Sequence, residues 1–216
     1  MKRMQQYWHQ HHELLAVAIT AFFLFAGALQ YAIGWQYVLY LTPLVIGLIA
    51  AMTVLYWQAP ATNRVVLFLV AFTVGLVSEM IGVNSGLLFG EYRYGTILGL
   101  ALFGVPIIIG ITWAFVTIAA WQLVSFSTFG NGAKIVLAAG VIVLFDLLLE
   151  QFATAFGLWQ WAGGVIPLKN YITWLVVSGV LLSIYAKWAQ QKQPSLYGAI
   201  ALPMLAIFFW FMLLVR

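Results

Sequence analysis

Residues 79–106 read EMIGVNSGLLFGEYRYGTILGLALFGVP. The stretch follows one apolar run and leads into another. Into that sequence it brings a carboxylate (Glu79), five glycines between Gly82 and Gly99, and a polar-aromatic cluster of Phe89, Glu91, Tyr92, Arg93 and Tyr94. A carboxylate and a glycine-rich loop set between two hydrocarbon-grade segments describe a turn between membrane helices. A second stretch, from Asp146 to Trp174, answers it, and the two together are expected to build one site.

The rest of the chain agrees. Of its 216 residues 65% are hydrophobic and only 6% charged, where an average soluble domain carries about a quarter charged. Cysteine is absent, which excludes disulfides and thiolate metal sites. The net charge of +4 comes from nine Lys/Arg against five Asp/Glu. That is too few cations for a nucleic-acid surface, so the expected surroundings are membrane lipid, with no nucleic-acid partner.

A hydrocarbon core of ~30 Å needs ~20 apolar residues per helix. That template gives seven spans, at 14–33, 37–57, 64–82, 97–122, 133–153, 170–188 and 196–215. The expected fold is therefore an all-α integral membrane protein of about seven transmembrane helices, forming one domain over 1–216. Only the connections 83–96 and 154–169 are long. Ala26-Gly27-Ala28 resembles a signal-peptidase site, but the apolar run continues to about Ile33, longer than a signal core, so a retained first helix is expected. Lys2, Arg3, Arg64, Lys134, Lys187 and Lys192 fall on one side, and Arg93, Lys169 and Arg216 on the other. Cationic loops stay inside, which places the N-terminus in the cytoplasm of a cell (inner) membrane protein.

All three histidines, His9, His11 and His12, lie beside Glu13. His9 and Glu13 are one helical turn apart, as metal ligands are, but the segment reads as a wet, interfacial helix start. Di-iron oxygenase chemistry needs histidines spread over several helices, and none occurs after position 12. In span 64–82, Gly75, Ser78, Glu79 and Gly82 share one face; small residues there permit close helix approach or leave room for a ligand. A carboxylate at depth costs ~2.5–3.5 kcal/mol even on the lenient insertion scale, so Glu79 is either functional or an interfacial acid reaching the headgroups. Pro106 is expected to kink span 97–122, with Trp113 two turns on. Asp146 and Glu150, four apart, share a helix face. Two carboxylates that close in low dielectric are not expected both to ionise, so a shared proton is expected unless the pair is purely structural, capped by loop groups. Trp159, Trp161, Asn170 and Trp174 follow.

The two stretches align with each other. Glu79 precedes Gly86-Leu87 by seven residues, and Glu150 precedes Gly157-Leu158 by seven. Pro106 precedes Trp113 by seven, and Pro167 precedes Trp174 by seven. Spans 3–4 and 5–6 thus read as two parallel hairpin repeats, which brings Glu79, Asp146 and Glu150 to similar depth.

A few carboxylates, many tryptophans and no nucleotide loop suit proton-initiated chemistry on an apolar polyene. An acid that stays protonated donates to a terminal double bond, a tertiary cation forms, and water captures it or a ring closes. Aromatic faces stabilise the cation by ~0.5–2 kcal/mol each; Trp113, Trp159, Trp161, Trp174, Tyr92 and Tyr94 are candidates for the substrate-binding wall, with Asn170 and Arg93.

The pattern E-x-I-G…G-x-x-F-G-x-Y-x-Y…G-V-P…W at 79–113 and D-x-x-L-E…G-x-W-x-W…I-P-x-x-N-Y-x-x-W at 146–174 resembles the two motif blocks of the CruF-type, bisanhydrobacterioruberin hydratase-like carotenoid biosynthesis family. The resemblance covers about 95 residues. It implies addition of water across the terminal isopropylidene double bond of an acyclic carotenoid, giving a tertiary alcohol, with no cofactor. The chain departs from the family where Asp is common at the place of Glu150 and a His near Arg93. The resemblance assigns no catalytic residues; the residues themselves suggest Asp146 or Glu150 as donor, its partner as base, and Glu79 as a second acid. Arg93 is expected to hold one carboxylate ionised or to orient Glu91. Two alternatives stand: a carotenoid end-group cyclase, which shares the protonation and excludes water, and a proton-coupled transporter, which would spread its acids through the bilayer. A retinal photoreceptor needs a mid-helix lysine, and none is central to any span. Oligomeric state is not legible.

Overall fold

The computed structural model describes residues 2–216, with side chains from residue 11 onward. His9, Lys2 and Arg3, used above, lie outside the described side chains. Helix α1 (Lys2–Ala32) is followed by a 3-10 turn (Gln36–Leu41), α2 (Thr42–Tyr56) and α3 (Ala61–Ser85). Next come three short strands, β1 (Tyr92–Tyr94), β2 (Ala101–Leu102) and β3 (Val105–Pro106), then α4 (Ile107–Val124) and α5 (Asn131–Ala155). Strand β4 (Trp159–Trp161), α6 (Leu168–Trp188) and α7 (Leu196–Leu214) complete the chain. Among the described residues seven helical segments are long and apolar enough to cross a membrane. The chain is a multi-pass membrane protein.

Helix α4 forms the axis of the bundle. It is apolar on every face, as a helix surrounded by others must be, and Ala114, Val116, Ala119 and Ala120 have no exposure at all. It packs against α2, α3, α5 and α7. Gly75 allows the α3–α4 contact: a methyl group there would overlap the Trp113 ring. The small-residue face of α3 thus makes room for an indole. Helix α3 ends at Gly86, whose φ of 63° gives the left-handed cap glycine favours.

Two expectations fail here. Span 97–122 is not one helix, and Pro106 does not kink it. Residues 97–106 turn back as the β2–β3 hairpin, with Ala101 opposite Pro106 and Leu102 opposite Val105. Pro106 is the N-cap of α4. Gly99 and Gly104, at φ 79° and 82°, stop the helix where hydropathy alone would continue it. Pro167 likewise caps α6, so Trp113 and Trp174 occupy the same helical position. Pro43, by contrast, lies in the first turn of α2, where its missing N–H leaves no helical bond unmade.

The long loops also carry β-structure that the helical template omits. Strand β1 pairs antiparallel with β4 in the register Tyr92–Trp161, Arg93–Gln160 and Tyr94–Trp159. The ribbon is extended at either end by Gly95 N–H to Leu158 O (2.8 Å) and Ala162 N–H to Glu91 O (2.9 Å). It ties the α3–α4 loop to the α5–α6 loop across one end of the bundle.

Glu13 corrects the reading of a wet helix start. It is 3% exposed, and its Oε2 accepts from the N–H groups of Leu196 (2.7 Å) and Tyr197 (3.2 Å). A carboxylate at a helix N-terminus satisfies free donors and meets the positive end of the dipole. Beside it, buried Gln122 accepts from Ser195 N–H at 2.8 Å.

Candidate active site

The ribbon sets the geometry. Strand side chains alternate faces, so Tyr92, Tyr94, Trp159 and Trp161 turn toward the bundle while Arg93 and Gln160 turn away. Arg93 is exposed, and its Nη2 donates to Gln160 Oε1 at 3.3 Å. It does not line the site. The expectation that it holds a carboxylate or orients Glu91 finds no contact, because the two-residue period sends its side chain to the outer face.

Beneath the ribbon, α3 and α5 each deliver an acid near their C-terminal ends. Glu79 is 4% exposed and Glu150 3%. Tyr92 and Tyr94 both donate their hydroxyls to Glu79 Oε2, the latter at 2.7 Å, and Trp113 Nε1 donates to Oε1 at 3.1 Å. Across the site, Trp159 and Trp161 donate their indole N–H groups to Glu150 Oε2 at 2.9 and 2.7 Å. Burial, and then the neighbouring Glu79 carboxylate, push the Tyr92 and Tyr94 phenols well above the usual tyrosine range. Both therefore remain hydroxyl donors. The sequence suggested these rings as faces for a cation; the structure shows their polar edges bonded to the two acids.

Asp146 lies one turn deeper on α5 and is fully buried. Asn170, from the first turn of α6, donates Nδ2 to Asp146 Oδ2 at 2.8 Å and reaches Glu150 Oε1 at 3.5 Å. Among the described residues Asp146 Oδ1 has no hydrogen-bond partner.

The groups enclose a small cavity of about 20 Å³, lined by Glu79, Glu150, Asn170, Trp113, Trp174 and the ribbon aromatics. That is room for about one water. Trp113 and Trp174 stack with centroids 3.8 Å apart at 12°. Tyr92 lies 4.8 Å from Trp161. Every sequence-derived candidate except Arg93 and Asp146 lines this cavity; Asp146 stands behind it. Sequence reasoning missed Ile109, Thr112 and Leu149, which complete the lining. It also missed the support of the wall, where Phe89 at φ 62° packs on Trp113 and its N–H approaches Thr173 Oγ1 at 3.4 Å. Thr112, a lone hydroxyl beside Trp113, was the readable signal; two aliphatic residues give none.

A larger void of about 560 Å³ lies elsewhere, between α1, the 3-10 turn, α2 and α7. It has no titratable group in its lining and so offers nothing that moves a proton.

A family model described as "Carotenoid biosynthesis protein" matches residues 37–216. The chain belongs to this family. The matched range contains every residue of the cavity and leaves out the whole of α1. Among curated proteins, bisanhydrobacterioruberin hydratase from Haloarcula japonica is 31% identical over 135 residues. That match covers 57% of this chain and 45% of the relative, so the chain spans under half the relative's length. No solved structure matches. The family places the protein in carotenoid biosynthesis.

Proposed function

We propose that the protein is a hydro-lyase that hydrates the terminal isopropylidene double bond of an acyclic carotenoid to a tertiary alcohol, by acid catalysis and without a cofactor. The observation that carries this reading is the convergence of Glu79 and Glu150 on one aromatic cavity, each held by hydrogen bonds from ring hydroxyls or indoles. Glu150 lines the cavity and donates the proton to the less substituted alkene carbon. The tertiary cation forms against an outer face of the stacked Trp113–Trp174 pair. The carboxylate left on Glu150 keeps both indole N–H bonds, and Asp146, bridged through Asn170, shares the proton inventory of the pair. Glu79, surrounded by three donors, is the acceptor that takes a proton from the attacking water. One C–O and one C–H bond form, the π bond breaks, and the proton gained at Glu79 equals that lost at Glu150.

The two halves of the site also favour reading α3–α4 and α5–α6 as a parallel hairpin repeat. Each acid draws donors from the two aromatics of one ribbon strand, and the two tryptophans that follow a proline by seven residues stack on each other. We place the chain in the cell (inner) membrane with its N-terminus in the cytoplasm, on the Lys/Arg balance.

The test is expression in a lycopene-producing host, with pigment mass and polarity measured. The proposal requires product heavier by one water, lost in Glu150→Gln and strongly reduced in Asp146→Asn. Product in full yield from both variants would sink the assignment. An unchanged pigment mass with altered absorption would favour a cyclase.

A further inference from the structure

The hairpin at 97–106, ILGLALFGVP, is not a helix, yet it carries the composition of a membrane segment. No charged residue occurs between Arg93 and Lys134. Leu100 is 77% exposed, Leu102 47% and Phe103 73%. A water-facing turn between two elements is usually polar; this one presents three large apolar side chains and no ionisable group.

Its depth and its backbone agree. The 18 residues of α4 span about 27 Å, slightly short of a ~30 Å hydrocarbon core. With α4 centred in the core, the residues directly before Ile107 begin at the edge of the hydrocarbon. Non-helical backbone survives there only if its polar groups are satisfied by protein. Leu100 O accepts from Ile107 N–H at 2.9 Å, and the strands pair at Ala101–Pro106 and Leu102–Val105. The carbonyl of Phe103, at the tip, accepts from the side-chain Nδ2 of Asn84 at 3.0 Å. Asn84 reaches it from the last turn of α3, and Val77 and Ile81, in the two turns before it, also face outward. The exposed apolar surface of the hairpin continues the lipid-facing surface of α3.

We propose that the 97–106 hairpin is inserted in the hydrocarbon of the leaflet at the C-terminal end of α3, with acyl chains covering Leu100, Leu102 and Phe103 and with Asn84 as the group that allows its tip to remain there. It is an interaction surface for lipid, anchored one turn from Ile109 and about two turns from Thr112 of the cavity.

The chain has no cysteine, so single nitroxide labels can be placed in the otherwise native protein in proteoliposomes. Leu100→Cys and Phe103→Cys are compared with Leu69→Cys, on the lipid-facing side of α3, and Gln160→Cys, on the outer face of the ribbon. Labels at 100 and 103 are expected to match position 69, colliding several-fold more with oxygen than with a water-soluble nickel chelate, whereas position 160 shows the reverse. Adding Asn84→Ala to Phe103→Cys is expected to raise nickel collisions, because the freed carbonyl moves toward water. Labels at 100 and 103 as open to nickel as position 160 would overturn the proposal. So would Asn84→Ala leaving nickel collisions at position 103 unchanged, as it would for a tip already in water.

Discussion

Replacing Trp159 and Trp161 by phenylalanine tests whether indole edges, rather than indole faces, govern the acid. Each substitution keeps an aromatic ring and removes one N–H donor to Glu150 Oε2, at 2.9 and 2.7 Å. A hydrogen bond to a charged group contributes about 1.5–3 kcal/mol. In the proposed mechanism the charge on Glu150 develops only as its proton leaves, so the loss is expected to fall on the barrier and to slow turnover roughly 10- to 150-fold per donor. Both indoles meet one oxygen, so the double variant is expected to lose less than the product of the two single losses. The matched control is Trp121→Phe. Trp121 is 5% exposed and its Nε1 has no partner, so this change removes similar ring volume from a buried site without removing a bond. The assay is the initial rate of hydroxylated pigment formation by purified protein in liposomes, with thermal stability measured in parallel. A Trp159→Phe/Trp161→Phe double variant that matches Trp121→Phe in both stability and rate would refute the assignment of these indoles to Glu150.

Gly75→Ala places a methyl group into the Trp113 ring and is expected to cost about 1–3 kcal/mol as overpacking; a lowered melting temperature together with reduced turnover checks it. Glu13→Gln removes the charge that meets the α7 N-terminus and is expected to cost about 0.5–2 kcal/mol, read as earlier unfolding in a detergent melt with the rate per folded molecule unchanged. Tyr92→Phe/Tyr94→Phe leaves Glu79 one donor of three and is expected to reduce turnover by at least tenfold at ~1.5 kcal/mol or more. Arg93→Ala, at an exposed site, is expected to change stability by no more than about 0.5 kcal/mol, and near-native product yield would agree with its outward placement.

The helices and the acids were legible because both signals are local. Seven apolar runs report seven lipid-crossing segments, and carboxylates within such runs mark themselves by their cost. What the sequence hid was pairing. Strands β1 and β4 are three residues each and lie more than sixty positions apart, too short for any period to register. Without that pairing, Arg93 looked like part of the aromatic cluster; with it, Arg93 faces out because its neighbours face in. Asp146 and Glu150 share a helix face, yet only one reaches the cavity, since depth along a helix is not visible in angular spacing. The segment 97–106 shows the opposite kind of error. Hydropathy read its surroundings as membrane and the template converted that into helix, although glycines and a proline direct the chain into a hairpin. Glu13 failed for a related reason: its partners are backbone N–H groups of α7, which carry no residue signature.

The size of the cavity bears on which end reaction the site favours. In its present form it has room for about one water between Glu79 and Glu150, and no room for a branched alkene end. On the proposed reading the end group displaces side chains on entry, and the attacking water sits beside Glu79, which accepts from three donors. Cyclisation needs the reverse, an internal double bond folded against the cation and every water excluded. The Trp113–Trp174 stack, with centroids 3.8 Å apart, presents one flat indole face, which on the proposed reading suits an extended chain end better than a chain folded back on itself. Hydration and cyclisation share the proton donor, so the choice between them rests on Glu79. With that carboxylate as acceptor, loss of its charge in Glu79→Gln is expected to slow water capture more than protonation, and the trapped cation then loses a proton to give back alkene. An isomerised, unhydrated pigment from Glu79→Gln in a host that supplies the acyclic carotenoid is the outcome this division of labour requires; a normal yield of tertiary alcohol would return the role of base to the Asp146–Glu150 pair.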